Sequence, residues 1–372
     1  MEFQYENSWL GSREAQPLSL SLPLPFDDTP YKGPVVEAYF DNLLPESEPI
    51  RRRIQERFHV TTRGPFDLLA AIGRDCVGAI QIMPSGEAPA RVDKIDVVAL
   101  SEAEVANEIA WVTTTGSVVR DEDQDFRISI AGAQEKTAFT WHKDRWCRPI
   151  GTTPTTHIFK LPLGIVSKYR ADMRESVENE WLCSRLLRAL EIPVAETRIE
   201  KFGPHKVLVV ERFDRQLHSS GRYWVRTMQE DFCQATGTPW HRKYQSDGGP
   251  GLLQIAEILQ SSVEAQRDLT TLFSAQLMFF LLAGIDGHAK NFSIRLLPGG
   301  RLELTPLYDV LSAWPVTGKK ANQIPVEKVK LAMALPGERP HYLMKNIQRR
   351  HFELLGSRIG LASPGGELID SV

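Results

Sequence analysis

Apolar residues recur at helical spacing in three early segments, residues 35–44, 48–58 and 65–72, and the last opens on a proline suited to a first helical position. Ahead of them, residues 17–23 alternate apolar and polar (Pro-Leu-Ser-Leu-Ser-Leu-Pro), which predicts a half-buried strand, and 77–83 reads as another. Ser101, with Glu104 three positions on, signals a capped helix over 101–112. The next block is strand-rich: 126–130, 137–141, 158–161 and 207–210 are β-branched or aromatic and bounded by turn residues. Between the last two, 175–190 predicts a helix with Val177, Trp181, Leu182, Leu186 and Leu190 on roughly one face. After residue 229 helical patterns dominate, at 252–259, 264–285 and 343–355. A hairpin over 292–305, turning at Pro298-Gly299-Gly300, interrupts them. The order predicts an α+β chain, with a mixed, strand-rich N-terminal lobe over 1–210 and a helical C-terminal lobe over 211–372.

Composition narrows the class. A chain of 372 residues is too long for one ordinary core. Its 42% hydrophobic and 24% charged residues suit a soluble globular protein. A net charge of −3 gives no global basic field for nucleic acid. The local basic groups, Arg51, Arg52 and Arg53 and then Arg339, Lys345, Arg349 and Arg350, read as solvated helix faces before phosphate contacts. Cys76, Cys147, Cys183 and Cys233 form no CxxC and predict reduced thiols. The N-terminus lacks the basic and apolar regions of a signal peptide, and the apolar stretch 277–285 is too short to span a bilayer. The expectation is a cytoplasmic protein with no membrane partner.

The chemistry concentrates after the apolar helix that precedes Asp286. Phosphoryl transfer from ATP needs a carboxylate to orient the attacking hydroxyl and oxygen ligands to hold Mg2+ on the phosphates. In protein kinases an Asp and an Asn five positions apart on one loop fill these roles. Asp286-Gly-His-Ala-Lys-Asn291 has that spacing, and Tyr308-Asp309 follows directly after the hairpin. Taken singly, Asp286 and Asp309 read as an ordinary turn and cap. Together they give acid, amide, hairpin and acid in the order a kinase requires. His288 and Lys290, inside the loop, are candidates to touch phosphate or support the base. Lys160 lies in an apolar strand, where burial makes a lysine costly unless it is paired, and so is a candidate for the α/β phosphates. Ser129-Ile-Ala-Gly-Ala-Gln-Glu-Lys136 is small enough in side chain for its backbone N–H groups to cradle phosphate, although a plain hairpin turn has the same composition. The segment from Val207 to Asp214 is an apolar strand running into a polar junction, where a kinase reads adenine.

These segments resemble one family. Ile128-Ser-Ile-Ala-Gly-Ala-Gln-Glu-Lys-Thr, Thr155-Thr-His-Ile-Phe-Lys-Leu-Pro, Val210-Glu-Arg-Phe-Asp-Arg, Gln229-Glu-Asp-Phe-Cys-Gln, Asp286-Gly-His-Ala-Lys-Asn-Phe and Leu307-Tyr-Asp-Val-Leu-Ser-Ala are similar to the HipA toxins of HipBA toxin–antitoxin systems. The resemblance runs from about residue 17 to about 352. It implies a bilobal protein-kinase-like fold related to phosphoinositide 3/4-kinases. It also implies ATP- and Mg2+-dependent phosphorylation of a cytoplasmic aminoacyl-tRNA synthetase, typically glutamate–tRNA ligase, with translation arrest and persistence as the result. By the same resemblance Asp286 is the catalytic base, Asn291 and Asp309 are the metal ligands, and Lys160 holds phosphates. Ile130, Ala131, Gly132, Ala133, Gln134, Glu135 and Lys136 form the phosphate loop, Glu211 and Phe213 contact adenine, and Ser129 is an inhibitory autophosphorylation site. The implied partners are a HipB-like helix-turn-helix antitoxin and, with it, operator DNA. Relative to the family, the strand ahead of residue 17 reads as shortened or replaced, and the chain ends earlier than the family's closing helices imply.

Three other readings compete. A kinase-like corepressor that only binds antitoxin and DNA would be expected to lose Asp286 or Asp309. A lipid or small-molecule kinase would favour a basic amphipathic membrane-facing helix, and none is evident. A metal-dependent phosphohydrolase built on Asp286, Asp309 and His288 would have no use for Lys160.

Overall fold

The computed structural model describes residues 1–89, 91–113, 129–166, 169–361 and 369–370. The chain divides into two compact units, each assembled from separated stretches. The first comprises Met1–Gln4, Thr29–Pro162 and Glu196–Gln229; the second comprises Tyr5–Asp28, Leu163–Ala195 and Glu230–Val372. These units interleave along the chain and do not divide it at a single point such as residue 210. The helix after Leu163 belongs with the C-terminal elements because Asn179 exchanges hydrogen bonds with Ser312, and Ala195 N–H bonds Leu307 O.

In the first unit, helices α1 (Pro34–Asp41), α2 (Glu48–Phe58) and α3 (Pro65–Ile72) each carry a proline in their first turn. Helix α4 (Glu102–Thr113) opens on Ser101, whose hydroxyl and N–H both bond the Glu104 carboxylate. A six-stranded sheet follows. It is built from β1 (Val97–Ala99), β2 (Lys136–His142), β3 (Arg145–Pro149), β4 (His157–Lys160), β5 (Thr197–Phe202) and β6 (His205–Glu211), in the order β1-β3-β2-β4-β6-β5. Every neighbouring pair is antiparallel. Period-two alternation gives the sheet two faces. Phe139, Phe159, Val207 and Val209 pack with Val105 and Ile109 of α4 into one core. Lys136, Lys160 and Leu208 stand in register on the other face.

Two expected strands are absent. Residues 77–83 form no strand ladder, and side chains hold the Gly78 backbone instead: Arg215 Nη1 donates to Gly78 O, and Gly78 N–H bonds the Asp214 carboxylate. Residues 17–23 turn back on themselves through a bridge between Ser19 and Leu22, in the second unit, and the buried Glu230 carboxylate accepts from Ser19 Oγ and Leu20 N–H. Residues 126–128 of the expected strand 126–130 lie outside the described residues.

In the second unit, α5 (Ser176–Ala189) buries Val177, Glu180, Cys183, Ser184 and Leu187. Of the apolar face expected from the sequence only Val177 is buried; Trp181, Leu182, Leu186 and Leu190 are exposed. Strand β7 (Gln229–Asp231) leads into the short α6 (Phe232–Ala235), and α7 (Leu252–Leu259) and α8 (Ala265–Leu281) follow. Helix α8 stops four residues short of the expected 285, where Ala283 adopts a positive φ of 50°. The hairpin is β8 (Ser293–Leu297) and β9 (Arg301–Leu304), with Leu297 opposite Arg301 across the Pro-Gly-Gly turn. Strand β10 (Lys330–Leu335) precedes α9 (Arg349–Ile359). That last helix starts later than the expected 343, because Gln348 caps it and takes a hydrogen bond relationship with His351 three residues on.

Candidate active site

In the second unit the loop 286–291 is positioned from below by an aromatic ring. Phe279, near the end of α8, packs against Phe292 with ring centroids 5.9 Å apart. A Cβ on Gly287 would come within 2.7 Å of the Phe279 ring, so the residue after Asp286 must be small for the loop to lie this close. Ala289–Asn291 then forms a single 3₁₀ turn. Asn291 is buried, and its Nδ2 donates to Asp286 O at 2.8 Å and reaches Asp309 O at 3.5 Å, a long contact. One amide thus gathers the backbone of both acids. Asp309 itself sits at φ +61°, a left-handed conformation that an Asp tolerates better than most side chains. It is held there by its neighbour: the half-buried Tyr308 donates its hydroxyl to Lys290 O at 2.8 Å and pairs with Ser293 Oγ. The hairpin therefore returns the chain to the loop it left.

Asp286 remains open to solvent, its side chain 56% exposed, while His288 beside it is buried with Nε2 3.7 Å from Asp286 Oδ1. Lys290 is buried as well, its ammonium 2.7 Å from Asp231 Oδ2. Asp231 also caps α6 by accepting from Gln234 N–H at 2.9 Å. Burial pushes the Asp231 carboxyl above its ordinary value, against the pull of Lys290. This pairing gives Lys290 a strut's position under the loop. Sequence reading missed Asp231, Tyr308 and Tyr244, whose hydroxyl donates to Asp286 Oδ1. The capping pattern Asp231-Phe-Cys-Gln234 was the only local signal for any of them.

In the first unit Lys160 lies on a central strand and is buried. The segment 130–136 is held by neighbours on several sides. Glu46 N–H bonds Gly132 O at 3.0 Å, Leu161 N–H bonds Glu135 O at 3.1 Å, and Gln134 Nε2 donates to Leu161 O. Arg53 pairs with the Glu135 carboxylate, and Lys136 Nζ folds back onto Ala131 O. Gly132 sits at φ +111°, a conformation only glycine adopts without strain. Ile130, Ala131 and Ala133 complete this run of small and aliphatic side chains. Ser129 at its foot is fully buried, with Oγ donating to Leu43 O at 2.8 Å and N–H to Asp75 O at 3.2 Å. At the end of β6, Glu211 and Phe213 alternate with the buried Arg212 and Asp214.

Arg52, Arg339, Lys345, Arg349 and Arg350 are exposed, as solvated faces should be, whereas Arg51 is buried and Arg53 half-buried. Arg51 is buried against Asp41 and Pro45 O, Arg53 is paired with Glu135, and Arg349 is paired with Glu353 and Asp370. All four cysteines are free and buried, and burial pushes the Cys76 thiol up to about 12. Among the described residues no cluster of three or more His, Cys, Asp or Glu is placed to hold a metal ion, and no helix is long and apolar enough to cross a membrane. Magnesium on nucleotide phosphates needs no such cluster, since one or two protein oxygens plus phosphate and water suffice. With the Asn291 nitrogen committed to backbone carbonyls, its amide oxygen and the Asp309 carboxylate fit that requirement.

Comparisons with known proteins show the family. The HipA N-terminal domain matches residues 1–83 and the HipA-like C-terminal domain matches residues 128–371. The chain belongs to the HipA family. A Sinorhizobium fredii protein named "Putative kinase Y4mE" is 32% identical over 336 residues, 89% of this chain and 77% of that one. The serine/threonine-protein kinase toxin HipA of Shewanella oneidensis is 30% identical over 323 residues, 83% and 69% of the two chains. The Shewanella oneidensis HipA structure, solved with HipB and operator DNA, superposes with a TM-score of 0.75 at 25% identity, covering 99% of this chain and 81% of that one. This HipA-family chain is accordingly a serine/threonine kinase with a mixed α/β fold.

Proposed function

We propose that this protein is the toxin of a type II toxin–antitoxin system and phosphorylates a cytoplasmic aminoacyl-tRNA synthetase, with glutamate–tRNA ligase the first candidate. In this reading Asp286 orients the acceptor serine hydroxyl and receives its proton, with His288 supporting the carboxylate. Asn291 and Asp309 hold magnesium through their side-chain oxygens. Lys160 and the backbone of residues 130–136 hold nucleotide phosphates, and Glu211 and Phe213 take the adenine. ATP, when bound, supplies the phosphoryl group, and magnesium neutralises the charge that develops on it. The observation that carries the reading is the Asn291 amide gathering Asp286 and Asp309, remote in sequence, into one loop cluster.

A phosphate on Ser129 would add nearly two negative charges where the hydroxyl is fully enclosed against Leu43 O. Phosphorylation there should expel the loop and switch the kinase off. The HipA–HipB–operator complex of the Shewanella relative supports a helix-turn-helix antitoxin and operator DNA as partners here.

The test is transfer from labelled ATP with magnesium to a panel of purified tRNA synthetases, beside an Asp309→Gln variant. Label on a synthetase with the wild type alone is the expected result. Absence of transfer, with operator binding retained in the presence of antitoxin, would favour a corepressor and overturn the kinase-toxin reading.

A further inference from the structure

The carboxylate of Asp286 already carries a hydroxyl. Tyr244 donates its phenolic hydrogen to Asp286 Oδ1, and the mechanism above has no use for this tyrosine. The contact comes from a fastened loop. Two 3₁₀ turns, Trp240–Arg242 and Gln245–Asp247, flank the tyrosine. Tyr244 O accepts from Asp247 N–H at 2.9 Å and from Gly249 N–H at 3.0 Å, and Arg242 Nε donates to Asp247 O at 3.2 Å. Gln245 Oε1, next along, accepts from Ala334 N–H of β10 at 2.7 Å and so ties the loop to a strand. On its other side the Tyr244 ring meets the buried His288 edge to face, centroids 5.1 Å apart at 86°. Backbone, strand and imidazole therefore aim the phenol together at a carboxylate that is otherwise more than half exposed.

A carboxylate that orients an attacking hydroxyl does not by itself tell a serine from water, because both are O–H donors. A third O–H donor placed on it in advance changes that. We propose that Tyr244 is a placeholder for the acceptor hydroxyl. It occupies Asp286 Oδ1 while no protein substrate is present and yields that position to an incoming serine or threonine. Water, which brings no binding energy of its own from the rest of a protein surface, cannot displace it as well. The reaction suppressed is ATP hydrolysis: a water oxygen bonds the γ-phosphorus, the bond to the β–γ bridging oxygen breaks, and ADP and phosphate leave while the water's proton passes to the carboxylate. Tyr244 is thus a positioning and selectivity residue, and the inference rests on Asp286 being the catalytic carboxylate.

Tyr244→Phe tests it, since phenylalanine keeps the ring against His288 and removes only the donor. Phosphate release from ATP and magnesium without acceptor is measured beside transfer to purified glutamate–tRNA ligase, with wild-type and Asp286→Asn proteins in parallel. The expected result is hydrolysis about fivefold faster, what one ordinary hydrogen bond is worth, with transfer kcat little changed and a lower KM for the acceptor. An unchanged ratio of hydrolysis to transfer, or a parallel loss of both with a normal thermal melt, overturns the placeholder role. So does phosphotyrosine at Tyr244 in the wild type, which would make it an acceptor in its own right. Transfer persisting in Asp286→Asn is a different failure, that of the catalytic assignment itself.

Discussion

Asn291 is proposed to work at both ends of one amide: the nitrogen bonds Asp286 O, and in the proposed mechanism the oxygen takes a cation. Asn291→Asp keeps an oxygen donor but loses the N–H, so both metal affinity and loop geometry should suffer. Phosphotransfer is expected to fall by about a hundredfold or more, in the range of losing one preorganised donor at a reacting centre, read as kcat in single-turnover kinetics. Lys290 allows a separate prediction about stability. Removing it as Lys290→Ala strands the Asp231 carboxylate in a buried site, and loss of one partner of a buried pair costs about 3–5 kcal/mol. Urea unfolding should show that loss. A midpoint unchanged from wild type would rule out the strut. At this scale the sequence was informative where chemistry dictates residue type. Asp286, Asn291 and Asp309 stood out because transfer needs acid, amide and acid in order. Tyr244 and Tyr308 did not, and Asp231 showed only as a helix cap, because each acts on the loop through a contact that no local pattern marks.

The segment 130–136 shows how one element depends on another. Its Glu135 is paired with Arg53 of α2, and its Gly132 carbonyl accepts from Glu46 at the foot of the same helix. Arg53→Ala should loosen the loop without touching the catalytic residues. The expected signature is a several-fold higher KM for ATP with kcat nearly unchanged, since an exposed-to-half-buried ion pair is worth about 1 kcal/mol. Steady-state kinetics checks the split. Ser129→Asp should go further by making Leu43 O face a carboxylate, exposing the loop to limited proteolysis near residue 130. Helices α2 and α3 were readable from pattern and proline placement alone. The orientation of α5 was not. It carries apolar residues around most of its circumference, so the choice of buried face fell to the Asn179–Ser312 hydrogen bonds, which no periodicity encodes.

For the molecule as a whole, two buried acids respond oppositely to pH. Asp75 sits among Arg212, Arg215 and Arg226, with Thr155 donating as well, and these cations hold its carboxyl far below the usual range despite burial. Its folded value is depressed, so its contribution is present above the unfolded value of 3.8 and is lost as pH falls below it. Asp75→Asn should remove about 3 kcal/mol at neutral pH by leaving Arg212 and Arg215 to share Asp214 and taking the carboxylate from Arg226. Glu230 behaves in reverse. Burial pushes it up to about 8 from 4.5, so its protonated form is the one that folds, and stability is expected to decline as pH rises from 4.5 through 8. Glu230→Gln should flatten that decline, read as thermal midpoints between pH 5 and 8; an equally steep slope in the variant would exclude Glu230 as its source. Neither centre was legible beforehand. Residues 77–83 read as a strand because apolar content predicts burial, but here Arg215 and Asp214 took the Gly78 carbonyl and N–H that a neighbouring strand would have used.

The β8–β9 hairpin has a consequence for how related chains can diverge. Asn291 and Asp309 are brought together by paired rungs, Ile294 with Leu304 and Leu296 with Leu302, while the Pro-Gly-Gly tip beyond Leu297 and Arg301 touches neither. Adding paired residues at the tip lengthens the ribbon outward and leaves its base where it was, whereas an unpaired insertion within either arm turns every later side chain to the opposite face. The count of residues separating amide and acid is therefore elastic in evolution, but only at one end of the ribbon.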